Sequence, residues 1–289
     1  MKALLSLLMA LSAGPVSAAP QTHTLPRPDG SLIHFTLDLA EGDSAGLLVL
    51  AQGSGCALAA ASNSLATVRQ AFPAHTALIV EKVGIVPDTA MSSDCPAEFL
   101  DHYTLSQRID DYQQVLSHLG GTQDIILFGG SEGGLAMEAL AARIHPAAAI
   151  LLSGSVGGTF GEMVLSTVPP EGKSSVAAGF AEARANPDSS TVLSGHNYRF
   201  WADILDHRSS DYLEATDTPF LLIHGGRDNA PVQPVRALAD RFAAEGRCNL
   251  TYWEFPALDH SMVDPAGTSQ LQRIARLAAA WAEHPMPAC

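Results

Sequence analysis

The sequence predicts an α/β fold: a mostly parallel sheet with helices on both faces, an antiparallel hairpin leading in, and an inserted helical cap. Short apolar runs alternate with amphipathic helical patterns along the chain, as strand–helix–strand units require. Several of the runs are apolar throughout, the pattern of strands covered on both faces. One segment, residues 159–217, is too long for an ordinary connection between strands, and long connections usually carry a function.

The chain opens on MKALLSLLMALSAGPVSAAP, with one basic residue, Lys2, an apolar run from Ala3 to about Leu11, and small residues at Val16 and Ala18. This is the layout of a secretory leader cut after Ala18. The run is too short to span a bilayer comfortably; an uncleaved anchor or a buried first helix is the alternative. A cut leader implies a secreted or periplasmic protein, residues 19–289, with enough apolar sequence for one domain. Without Lys2 the formal net charge moves from −14 to −15, 15 basic against 30 acidic residues. Phosphate backbones and anionic lipid repel such a chain, so neither nucleic acid nor a membrane surface is expected as a partner. Four cysteines, Cys56, Cys95, Cys248 and Cys289, suggest two disulfides in an exported chain, with three pairings open. No Cys-x-x-Cys or His-x-x-x-His spacing points to a metal.

The elements follow in order. THTLPRPDGSLIHFTLDLA reads as a hairpin with its turn at Pro28-Asp29-Gly30. GLLVLAQ, TALIVEKV, DIILFGG, AAAILLSG, PFLLIHGG and LTYWEF read as the remaining strands. Three helical stripes stand between or after them: Ile109, Tyr112, Val115, Leu116 and Leu119, ending at Gly120; Val235, Leu238, Ala239 and Phe242; and Leu271, Ile274, Leu277, Ala278 and Trp281. The 159–217 segment holds a helical piece, SSVAAGFAEARA, and the aromatic cluster NYRFW. We read it as a cap, with a crossover helix on long loops as the alternative.

The pattern Gly-x-Ser-x-Gly occurs twice, at residues 42–46 and 129–133, so spacing alone does not single out a nucleophile. Ser44 precedes a strand, at the end of a parallel sheet where ligands do not bind. Its GDSAG resembles the serine site of chymotrypsin-like proteases, but the chain lacks a two-barrel pattern. Ser131 instead follows the strand DIILF directly and opens the helix EGGLAMEALAARI. Strand, sharp turn, helix is the context of a nucleophile elbow. A phosphate-binding loop is excluded by the absence of Lys-Ser or Lys-Thr after the glycines and of Gly-x-Gly-x-x-Gly.

A serine hydroxyl needs a base, and the base an orienting acid. Asp228, after FLLIHGG, and His260, after YWEFPAL, both lie just past the carboxyl ends of predicted strands, where catalysis gathers in open parallel sheets. Asp228 could also serve only an Asx turn, Asp259 is a rival acid, and His224 is expected to pack beneath the Asp228 loop. An oxyanion hole needs two amides. The first is Glu132, at the new helix N-terminus. The second comes from QGSGC, with Ser54 as the assignment and Gly55 as the alternative.

On QGSG, GGSEGG, HGGRDNAPV and DHSMVD, in that order, the chain resembles an α/β-hydrolase. More narrowly it is similar to exported bacterial serine hydrolases of the serine-aminopeptidase-like and dienelactone-hydrolase-like kinds. The resemblance spans nearly all of residues 21–282. It implies Ser131 as nucleophile, His260 as base, Asp228 as acid, and the Ser54 and Glu132 amides as oxyanion hole, with no cofactor or metal. QGSG lacks the His-Gly-Gly run of lipase-like esterases, and NAPV replaces the usual Val-Pro after the acid. On this fold Cys56 and Cys95 fall at the top of the sheet and Cys248 and Cys289 at the bottom. The expected pairs are therefore Cys56–Cys95 and Cys248–Cys289. The expected activity is hydrolysis of a small carboxylic ester or related acyl bond. A serine aminopeptidase or amidase is the first alternative, with the Glu132 carboxylate or a cap acid holding a substrate ammonium. Acyl transfer and non-catalytic binding on the same fold are the others. Tyr198, Phe200 and Trp201 are read either as substrate contacts or as anchors of the cap.

Overall fold

The computed structural model describes residues 19–87, 94–120, 124–154, 157–230 and 232–285. The expected leader lies outside them. All eight expected strands form: β1 (Gln21–Pro26), β2 (Leu32–Asp38), β3 (Gly46–Ala51), β4 (His75–Val80), β5 (Ile125–Gly130), β6 (Ala148–Leu152), β9 (Phe220–Gly225) and β10 (Leu250–Phe255). They make one sheet in the order β1-β2-β4-β3-β5-β6-β9-β10. β1 and β2 pair antiparallel, β2 meets β4 antiparallel, and every pair from β4 to β10 is parallel.

Period-2 alternation sorts the central strands between two cores. Leu47, Val49 and Ala51 of β3, Leu127 of β5, Leu151 of β6 and Leu222 of β9 face one side. There they meet α3 (Leu105–His118), α4 (Glu132–Ile144) and α9 (Gln233–Ala244). Leu48, Leu50, Ile126, Phe128, Ile150 and Ile223 face the other, against α1 (Asn63–Arg69) and α10 (Leu271–Glu283). A strand with apolar residues at both parities is buried on both faces, which is why the runs are continuous.

Two helical stripes differ from expectation. Leu119 is the C-cap of α3 and is exposed, because the helix has already ended there. Leu277 is also exposed, while Ala275 and Ala282 are buried. The α10 stripe runs 271, 274/275, 278, 282, and a residue at 277 stands about 100° off it at 3.6 residues per turn. Trp281 is only partly buried.

Between β6 and β9 the chain forms α5 (Phe160–Thr167), α6 (Pro170–Ala185), the short hairpin β7–β8 (Val192–Leu193, His196–Asn197), α7 (Tyr198–Ile204) and α8 (Ser209–Glu214). Asn197 caps α7 by accepting from Phe200 N–H at 3.2 Å, and its amide donates to the Leu100 carbonyl in α2 (Ala97–His102). Asp203 accepts from Ser106 N–H at 3.0 Å. The inserted segment is thereby tied to α2 and α3.

Cys56 and Cys95 form a disulfide with Cα atoms 5.5 Å apart. Cys248 is disulfide-bonded as well; Cys289, its expected partner, lies outside the described residues. No helix among the described residues is long and apolar enough to cross a membrane.

The hairpin is fastened to α3 by a buried bidentate pair, Arg27 Nε to Asp111 Oδ1 at 2.8 Å and Nη2 to Oδ2 at 2.9 Å. Removing one partner strands a buried charge. Asp111→Ala is therefore expected to cost about 3–5 kcal/mol in urea unfolding; a loss below about 1 kcal/mol, the range of an exposed pair, would contradict this.

Candidate active site

The topology marks one crevice. β3 and β5 are neighbours, yet the chain leaves β3 toward β4 and leaves β5 toward β6. The loops beyond their carboxyl ends diverge, which makes this the switch point where ligands bind in open parallel sheets. The loop after β5 is Ser131, and the loop after β3 is QGSGC.

Ser131 has φ 54° and ψ −126° and stands as N-cap of α4. A non-glycine residue there is strained, at about 1–3 kcal/mol, and persists only when its surroundings dictate it. Its N–H donates to the Leu152 carbonyl at 2.9 Å and its carbonyl accepts from Gly134 N–H at 2.8 Å. The turn needs glycine behind it: a Cβ on Gly133 would stand 2.5 Å from the carbonyl oxygens of both Ala51 and Gln52. On the loop opposite, a Cβ on Gly53 would lie 3.1 Å from Ser131 Cβ. The two loops are in contact across the crevice.

His260 Nδ1 and Asp228 Oδ2 are 2.7 Å apart. The Asp228 side chain is 3% exposed and the His260 ring 45%. Backbone bonds bind their loops together: Gly226 N–H to the Phe255 carbonyl and Arg227 N–H to the Leu258 carbonyl, both at 2.9 Å. A further tie runs toward the serine. Ser153, which follows Leu152 and has φ 51°, donates its hydroxyl to the His260 carbonyl at 3.0 Å. Among the described residues no hydrogen bond joins Ser131 Oγ to His260.

Asp228 Oδ1 does accept from Ala230 N–H at 3.1 Å in an Asx turn, while Oδ2 lies against His260, so the turn and the contact with the imidazole coexist. Asp259 Oδ1 accepts from Ser261 and Val263 N–H, each at 2.9 Å, and organises its own loop. His224 is buried beside Tyr252. Ser44 donates to the Gly46 carbonyl at 2.8 Å in the turn entering β3, at the opposite end of the sheet.

The Glu132 carboxylate requires a correction. It is buried, accepts from Tyr103 Oη and from Arg108 Nη1 at 3.0 Å, and lies 3.8 Å from Lys82 Nζ. These partners are internal, so the expectation that it holds a substrate ammonium loses its basis. Burial pushes its pKa up, but Lys82, Arg108 and Tyr103 together bring it below the ordinary value. The other members of this cluster were not anticipated. Arg108 Nη2 donates to the Gln52 carbonyl at 2.6 Å, and Lys82 Nζ to the Gly53 and Gly55 carbonyls at 2.6 and 2.7 Å. Both cations are buried. Burial lowers the Lys82 pKa to about 7 against the pull of Glu132. Ser54 and Glu132, the two expected amides, donate to no acceptor among the described residues.

The aromatic cluster packs mostly within the inserted segment and meets the body at Tyr103. Phe200 stacks on His196 at 3.9 Å and on Tyr103 at 5.7 Å; Trp201 stacks on Phe180 at 5.1 Å and donates to the Leu193 carbonyl at 2.6 Å. Tyr198, Phe200 and Trp201 are all buried. Phe200 thereby joins the inserted segment to Tyr103. Among the described residues no group of three or more His, Cys, Asp or Glu could hold a metal ion.

The hydrogen bond that His260 Nδ1–H donates to the Asp228 carboxylate holds the His260 pKa above its ordinary value, outweighing burial. Burial pulls Asp228 up, but the bonds from His260 and Ala230 hold it below the usual carboxylate range. An NMR titration is expected to show His260 keeping its proton above pH about 6.5, and Asp228→Asn is expected to lower that midpoint. A midpoint unmoved by the substitution would contradict the pairing.

The chain matches no family model and no curated relative. Solved structures are similar to it in fold. Est1E from Butyrivibrio proteoclasticus superposes with a TM-score of 0.60 at 15% identity, over 90% of this chain and 96% of that one. The esterase domain of a Rhodothermus marinus protein gives 0.61 at 16%, over 92% and 98%. A proline iminopeptidase from Mycobacterium smegmatis gives 0.60 at 18%, over 91% and 98%. With its eight-stranded, mostly parallel sheet, its flanking helices and these neighbours, the chain has the α/β-hydrolase fold.

Proposed function

We propose that the protein is a serine hydrolase that cleaves a small carboxylic ester through an acyl-enzyme. The observation that carries this is the strained Ser131 elbow at the switch point, with the 2.7 Å His260–Asp228 pair two and three strands away at the same end of the sheet. Ser131 Oγ attacks the carbonyl while His260 takes its proton. Asp228 fixes the imidazole tautomer and stabilises its cation. The Ser54 and Glu132 amides bind the oxyanion. His260 then passes the proton to the departing alcohol, and water repeats the sequence to release the acid. No step needs a metal or a cofactor.

Esterases among the structural neighbours support the ester reading. A peptidase is the second reading, supported by the proline iminopeptidase neighbour and weakened by the internal pairing of Glu132.

A panel of chromogenic esters, thioesters and aminoacyl amides separates the two. Wild type is expected to turn over the short-chain esters fastest, and Ser131→Ala to lose on the order of 10⁴-fold or more in kcat. Undiminished hydrolysis in Ser131→Ala would refute the mechanism, and faster turnover of aminoacyl amides would favour the peptidase. Because His260 must be neutral to act as base, kcat/KM should fall as pH drops through its raised pKa. A profile flat through pH about 5–8 would count against His260 as the base.

A further inference from the structure

Burying a cation is expensive, and the expense usually has a structural or functional reason. Lys82 sits two residues past the end of β4, 1% exposed in its side chain. Its short contacts are not with a carboxylate. Glu132 Oε1 is 3.8 Å away, while the Gly53 and Gly55 carbonyl oxygens are at 2.6 and 2.7 Å. The ammonium therefore clamps two carbonyls that flank Ser54.

Peptide units are planar and trans, so each C=O points opposite the following N–H, and no cis bond is present among the described residues. A Gly53 carbonyl turned toward Lys82 turns the Ser54 N–H away from it. Arg108 treats the preceding unit alike, through the Gln52 carbonyl. Gly53 lies against Ser131. Gly55 has φ 93°, and a loop with two glycines in four residues has no conformation of its own to fall back on. The disulfide at Cys56 fixes only where the loop ends, not which way its peptide units face.

We propose that Lys82 is a positioning residue for the acyl-transfer step: by holding the Gly53 and Gly55 carbonyls it aims the Ser54 N–H at the oxyanion that the substrate carbonyl becomes when Ser131 attacks it. Lys82 touches no substrate. It acts through the loop, and its contribution is greatest in the tetrahedral state, when the oxyanion exists. The inference rests on the serine-hydrolase reading above and adds a residue to it.

Lys82→Met keeps the stem and removes the donor. Glu132 retains Arg108 and Tyr103, and Glu81 retains its bonds from the Ala59 and Ala60 amides, so no carboxylate is left without a partner. On a p-nitrophenyl ester that wild type hydrolyses, kcat is expected to fall roughly 10- to 100-fold with KM within about threefold. The Ki of an alkylboronic acid, which forms a tetrahedral adduct, should rise by the same factor as kcat falls, while the Ki of the product carboxylic acid stays within about twofold. Should the Met variant not fold, Lys82→Gln, one atom shorter but still a donor, is expected to lose at least about threefold in kcat with a matching rise in boronic-acid Ki. A kcat within about twofold of wild type, or a fall in kcat with the boronic-acid Ki unchanged, would overturn the proposal. Ser131→Ala run alongside separates the two readings. If it is inactive while Lys82→Met resembles wild type, only the role of Lys82 fails. If it retains activity, the serine mechanism fails and this inference with it.

Discussion

Everything at the crevice depends on one backbone conformation, the φ of 54° at Ser131. A residue with a side chain does not hold that angle unaided. Three constraints impose it. β5 fixes the entry, α4 fixes the exit, and Gly133 lets the new helix pass within contact of the last carbonyls of β3. The same close approach brings the QGSGC loop against Ser131, so the geometry that strains the serine also assembles the opposite wall.

Beneath that wall lies a buried cluster of charge: Glu132, Arg108 and Lys82, with Tyr103 beside them. Its two cations bond outward, Arg108 to the Gln52 carbonyl and Lys82 to those of Gly53 and Gly55. Arg108 of α3 and Lys82, just past β4, thus hold a loop that would otherwise have little to define it. The proposed acid and base are arranged differently. Asp228 is buried and fixed by an Asx turn, while the His260 ring is half exposed, as a group that exchanges protons with bound molecules must be. Anchoring is placed on the carboxylate and access on the imidazole.

Much of this was legible in the sequence. Apolar runs gave the strands, because the burial of both faces leaves no room for polar alternation. Ser131, Asp228 and His260 stood out by following strand ends, a property of chain order that needs no distances. The charged cluster was not legible. Arg108 and Asp111 lie within an otherwise amphipathic helix, where charge ordinarily marks the wet face, and only the tertiary partners Glu132 and Arg27 reverse that. Lys82 had a signal: Glu81 and Lys82 continue directly from the apolar run of β4, at the sheet end where the site lies. Leu119 and Leu277 went the other way, apolar residues that helix termination and helix phase leave exposed.

The central claim is that the elbow makes Ser131 the nucleophile, and covalent trapping tests it most directly. Wild-type protein is treated with a fluorophosphonate, digested and mapped by mass spectrometry. The expected result is a single adduct on Ser131, absent from Ser131→Ala and slowed by His260→Ala. An adduct on Ser44 or another residue, or no adduct on a folded protein that still hydrolyses esters, would contradict it.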